Sequence, residues 1–192
     1  MSDLELVFDY FEDHVRVAAQ VNERRPIFLG LFCYVLGGVS LYVAQALAQR
    51  LYVLPYSWSF CALAVLWELG AGFLLAAALH LIVELGGAAG SAASLFVLLG
   101  MAELSWSLAV PLVLLARLFF RESSLAVTVA LLAVAFWSLT LKARSLRDNY
   151  HIGLGRAWLS LGLPYFAAAV LAVLAFSLAL IGLIVKFMQA VP

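Results

Sequence analysis

Long apolar runs alternate with short polar breaks along this chain, and the alternation predicts five helices. The runs cover about Ile27–Ala48, Trp58–Val83, Leu95–Ala116, Ser124–Leu141 and Ala157–Val185. A helix needs roughly 20 mostly apolar residues to cross a bilayer, and each run approaches or exceeds that length. Pro26 opens the first run. Arg50, Tyr52, Pro55 and Tyr56 mark the first break. The second, ELGGAAGSAAS (Glu84–Ser94), reads as a turn of small residues in which Gly86, Gly87 and Gly90 supply backbone freedom. Ser91 or Ser94 would cap the helix that follows. Arg117, Arg121 and Glu122 form the third break, and a polar segment from Lys142 to Arg156 the fourth. Lys186 closes the last run. Pro111 and Pro164 each forfeit a backbone hydrogen bond inside a run, so both are candidate kinks.

Residues 1–25 have a different period. Leu4, Val7, Phe8, Phe11, Val15 and Ala18 recur at helical spacing, with Glu5, Asp9, Glu12, Asp13 and Arg16 opposite. The expectation is one amphipathic helix. Lipid-surface helices are usually basic and this one is acidic, so it is expected to pack on its own bundle or on a partner. The chain then divides into this cytoplasmic helix (1–25) and a five-span membrane domain (26–192). The expected fold is all-α: a polytopic membrane protein, a bundle of five transmembrane helices preceded by a short amphipathic helix.

Composition agrees. Of 192 residues, 66% are hydrophobic and 11% charged, against about 25% charged in soluble domains. Formal net charge is zero; with no basic face, nucleic acid is excluded as a partner. Cys33 and Cys61 lie in apolar runs and read as small buried hydrophobes. The N-terminus carries Asp3, Glu5, Asp9, Glu12 and Asp13 where a signal peptide would be basic. Basic residues favour the N-terminal side: Arg16, Arg24, Arg25, Lys142, Arg144, Arg147 and Arg156 against Arg50, Arg117, Arg121 and Lys186. This predicts a cytoplasmic N-terminus and, across five spans, a C-terminus outside. Tyr52, Tyr56 and Trp58 fit one interfacial belt, and Trp137 and Trp158 the other. Residues 1–25 carry a balance of −3 and residues 142–156 a balance of +3, so the two segments are expected to lie together.

Ionisable groups inside a bilayer default to functional candidates. Here they are Glu68, His80, Glu84 and Glu103. His80 and Glu84 share a helix face, and Glu103 lies on the antiparallel neighbour, about 13 Å from the same end. A polar cluster of His80, Glu84 and Glu103, with Glu68 deeper, is therefore expected. It could relay protons or cations or line a polar pocket; equally, it could be interhelical hydrogen bonding. One histidine and two acids are too generic for a metal site. No protease elbow, HExxH or phosphate-cradling loop is present, and His151 has no visible catalytic partner. No enzymatic activity and no cofactor are expected. Gly37, Gly38, Gly70, Gly72, Ala76, Ala168 and Ala172 would permit close helix contact.

Three stretches resemble the membrane domain of the Ypt-interacting protein (YIP) family. The first is Ala78–Gly100, with His80 before Gly86, Gly87, Gly90 and Ser91. The second is Pro111. The third is Phe136–Pro164, with Arg144, Gly155, Arg156, Ala157 and Pro164. The resemblance covers roughly 27–186 and implies a five-helix bundle with a cytoplasmic N-terminus. Eukaryotic relatives reside in Golgi and endoplasmic-reticulum membranes and engage Rab-type GTPases. They carry a long cytosolic region and a Tyr-rich third span, both missing here, so the chain looks like a prokaryotic, inner-membrane member and Rab binding is not carried over. Glu68 and Glu103 fall outside the family pattern. The expected function is a membrane scaffold or accessory subunit acting by helix–helix contact with other membrane proteins or with itself. The alternative is a small transporter or channel-like protein using the intramembrane Glu and His residues.

Overall fold

The computed structural model describes residues 3–49, 57–120 and 124–190, and every regular element among them is helical. The order is α1 (Asp3–Glu12), α2 (His14–Arg24), α3 (Ile27–Leu47), α4 (Trp58–Leu85), α5 (Ala92–Glu103), a 3₁₀ stretch (Leu104–Leu108), α6 (Ala109–Phe120), α7 (Ser124–Tyr150) and α8 (Leu154–Ala190). Five helical stretches are long and apolar enough to cross a membrane: α3, α4, α5 through α6, α7, and α8 to Leu183. The expected break residues Arg50, Tyr52, Pro55, Tyr56, Arg121 and Glu122 lie outside the described residues.

Local chemistry sets the helix ends. Ser57, Ser91 and Asp13 each accept a hydrogen bond from the backbone N–H three residues on, at 3.4, 3.3 and 3.2 Å, which satisfies an orphan donor of the first turn. Gly87 stands at φ +82° in the α4–α5 turn, a conformation that favours glycine. Arg156 donates to the Gly86 carbonyl, Asn149 Nδ2 to the Ser91 carbonyl at 3.0 Å, and a side chain at Gly90 would collide with the Tyr150 ring. The turn is thus clamped by the α7–α8 corner.

Helix α5 forms the axis. Leu95 and Val97 through Glu103 are all buried, enclosed by α3, α4, α7 and α2. Close approach of α3 depends on glycine: a Cβ at Gly37 would stand 2.6 Å from the Glu103 carbonyl oxygen.

Several expectations need correction. The N-terminal amphipathic helix is two helices, divided at Asp13, whose carboxylate caps the second. Its buried face is Leu6, Tyr10, His14, Val17, Ala18 and Val21, while Leu4, Phe8, Phe11 and Val15 of the expected stripe point outward. The proposed basic loop does not exist as a loop. Lys142, Arg144 and Arg147 belong to α7, Arg156 belongs to α8, and only residues 151–153 separate the two helices. The change of helical form near Pro111 lies one turn upstream of it. Proline gives no N–H to the carbonyl four residues back and crowds it; the chain tightens into 3₁₀ geometry over Leu104–Leu108. There Ser105 and Ser107 hydroxyls donate to the Ala102 and Leu104 carbonyls, at 2.8 and 2.6 Å. Pro164 lies within α8, which stays helical on both sides of it.

Helix α8 divides into two parts. Ala157, Ser160 and Leu161 pack on α4 and α7. From Tyr165 to Leu183 every residue is exposed.

Candidate functional site

The four acids and bases singled out in the sequence do not form one cluster; the structure divides them between two places. At the end of α4, His80 Nδ1 lies 2.6 Å from the Tyr150 hydroxyl and its Nε2 3.4 Å from Glu84. The Glu84 side chain is 63% exposed, so this pair sits at the rim.

Glu103 instead meets Lys142, with Nζ 2.6 Å from Oε1, and both side chains are nearly buried. Lys142 was read as part of a polar loop, and so its partnership with Glu103 was missed. Two facts build the pair. Helix α7 runs on past Leu141 for nine more residues, which carries Lys142 inward. The 3₁₀ stretch begins immediately after Glu103, which ends α5 at the carboxylate. Glu68 of α4 interacts electrostatically with both, but it has no hydrogen bond or ion pair among the described residues. The site therefore holds two carboxyl groups and one ammonium.

Two cavities meet at Glu68. One, of about 650 Å³, is a groove between α4 and α8. It is walled by Trp67, Leu74 and Leu75 on one side and Pro164, Tyr165 and Ala168 on the other, with Glu68, Glu103, Lys142 and Trp106 also on its surface. The other, of about 640 Å³, lies between α3 and α4 along Tyr42, Gln45, Phe60 and Glu68. Glu68, Leu41, Leu66 and Trp67 belong to both.

Helix α7 also carries a buried polar row. Ser138, Lys142, Ser145 and Asp148 are all buried, and spacings of three and four put them on one face. Each of the last three meets a different helix. Lys142 takes Glu103 of α5. The Ser145 hydroxyl lies 2.9 Å from that of Tyr10 of α1. Asp148 lies 3.6 Å from His14 Nδ1 of α2 and accepts two hydrogen bonds from Arg147, at 2.6 and 3.0 Å. The N-terminal helices do lie beside the 142–150 segment, but through Tyr10 and His14 rather than by acids facing bases. The repeat Lys142–Ser145–Asp148 is visible in the sequence, but hydropathy alone does not distinguish a buried polar row from a solvated one.

Burial pushes the Tyr10 phenol up. It pulls the His14 imidazole down to about 4, with Arg144 and Arg147 acting in the same direction and Asp148 against them. His14 is accordingly neutral in the docked N-terminal helices near neutral pH.

Gly86, Gly87, Gly90 and Ser91 hold the turn described above, and Lys142 apart, the remaining basic residues serve structure or surface: Arg147 binds Asp148, Arg156 binds the Gly86 carbonyl, and Arg144 is exposed. His151 is exposed in the α7–α8 turn. Comparison with protein-family models, with curated proteins and with solved structures finds no match for this chain.

Proposed function

We propose that the chain is an integral membrane protein of the prokaryotic YIP-like type, a scaffold or accessory subunit working through helix contacts with other membrane proteins or with further copies of itself. In this reading the N-terminus is cytoplasmic, the C-terminus lies outside, and the membrane is the inner membrane; no catalysis is assigned. The observation that carries it is the distal part of α8. Residues 165–183 are all exposed, yet Ala168, Ala172, Ala175, Ala179 and Gly182 fall along one side of this helix at spacings of three and four. Contact with lipid alone needs no such ridge, whereas close approach of a second helix does. The test is a cysteine at Ala172, crosslinked in native membranes, beside isolation in mild detergent. A discrete crosslinked product that co-isolates supports the reading. A monodisperse monomer without crosslinks overturns it.

A second reading, a small transporter, is favoured by one specific observation: the cavities that meet at Glu68 and extend to Glu103 and Lys142, beside a span whose helix changes form right after Glu103. Broken helices at mid-membrane are a habit of transporters. Loss of flux in Glu68→Gln with assembly intact is its expected signature; flux no greater than that of empty liposomes removes it.

A further inference from the structure

The groove between α4 and α8 has more acid than base and more apolar wall than either. Glu103 and Lys142 neutralise one another across 2.6 Å. Glu68, on the same groove surface, makes no ion pair among the described residues, and the one ammonium whose field reaches it, Lys142, is already engaged by Glu103. An uncompensated carboxylate in a hydrocarbon setting is costly and calls for a cation. The surroundings specify what kind. Leu41, Leu66, Leu74, Leu75 and Ala78 make the lining largely apolar, which suits no hydrated metal ion. Trp67, Trp106 and Tyr165 line the same space, and aromatic faces attract organic cations. The volume of about 650 Å³ falls in the range of about 300–1,000 Å³ typical of small-molecule sites. Trp67 and Tyr165 are 75% and 46% exposed, so a ligand could enter sideways, between α4 and α8, without the bundle opening.

We propose that this groove binds a lipophilic ammonium. Its charge rests against Glu68 beside the Glu103–Lys142 pair, and its apolar body lies among Trp67, Trp106 and Tyr165. Charge selects the occupant: a lipid tail or an apolar helix would fill the groove and leave Glu68 unpaired. The site deepens the transport reading by naming a ligand, and it needs only the groove, not flux or assembly.

The test uses the full chain purified in mild detergent, with radiolabelled benzyltributylammonium as probe and its neutral analogue, carbon in place of nitrogen, as competitor. The expected result is saturable binding that the neutral compound does not displace. Glu68→Gln should weaken it at least about tenfold, the scale of one lost contact to a charged group, and Trp67→Ala should weaken it severalfold. Glu68→Asp, which keeps the charge, should retain most of the binding and shows that the site tolerates substitution. Thermal stabilisation of the unmutated protein by the ammonium, and not by the neutral analogue, reads the same preference without any variant. Equal displacement by the neutral compound, or unchanged affinity in a folded Glu68→Gln, overturns the proposal. Flux of the same probe in proteoliposomes is a separate measurement: its absence removes transport and leaves the binding site standing.

Discussion

The Lys142 ammonium lies 2.6 Å from the Glu103 carboxylate, joining α7 to α5 inside the apolar part of the fold. Neither group could occupy that position alone. Removing one partner of a buried pair leaves an uncompensated charge and typically costs about 3–5 kcal/mol, while replacing both with apolar residues of similar size is often neutral. Lys142→Met and Glu103→Gln should therefore each lower the thermal midpoint in detergent, and Lys142→Met with Glu103→Leu should recover most of the loss. Additive destabilisation in the double variant would show that the two residues act independently.

The same carboxylate residue limits what α3 can carry. A Cβ at Gly37 would meet the Glu103 carbonyl oxygen at 2.6 Å and its Cβ at 2.9 Å, and a helical backbone cannot yield as a side chain can. Gly37→Ala should cost about 1–3 kcal/mol, the range for overpacking. Gly70→Ala, where nothing stands within 4 Å of the added carbon, should leave the midpoint unchanged or slightly raised. A thermal-unfolding comparison of the two variants checks this.

The five apolar helices could be read from the sequence because lipid-facing positions are apolar whatever they pack against, and span starts at Ile27 and Trp58 coincide with helix starts. The interior could not be read in the same way. Hydropathy treats Lys142, Ser145 and Asp148 as solvated, so the fourth run was ended at Leu141; the residues are buried because Glu103, Tyr10 and His14 arrive from three other helices. The buried face of the two N-terminal helices could not be read for a related reason. Both of their faces are partly apolar, and the face carrying Tyr10 and His14 is the one that finds polar partners. The His80–Glu84 contact was legible because it is local to one helix; the absence of Glu103 from it was not, because that depends on where α7 ends.

Acid should loosen the two N-terminal helices. His14 faces Asp148, Arg144 and Arg147 of α7, lies tilted against Tyr10 with ring centroids 4.1 Å apart, and is held at about 4, below its ordinary value near 6.5. The undocked helices take up a proton first as pH falls. The contribution is therefore intact above about pH 6.5 and is lost progressively down to about pH 4, amounting to at most about 3 kcal/mol. Limited proteolysis of residues 1–25 in nanodiscs should accelerate across that window. His14→Phe, which keeps the ring packing and cannot titrate, should flatten the response; an unchanged pH profile in that variant would assign the effect to another group.

The two parts of α8 should respond differently to the same kind of change. Leu161 is 1% exposed where α8 packs on α4 and α7, and Leu171 is 66% exposed ten residues further on. Leu161→Ala removes packed atoms and should lower the thermal midpoint of the detergent-solubilised monomer by the equivalent of about 2 kcal/mol or more. Leu171→Ala removes atoms from an exposed position and should leave that midpoint in place. Ala172→Leu adds bulk to the small-residue side at an exposed position, so it too should spare the monomer. Its expected effect is on assembly, as reduced crosslinking between helices in the native membrane. A fall in monomer stability from either distal substitution would mean that the far part of α8 folds back onto the bundle, and the surface assigned to a partner would then belong to the core.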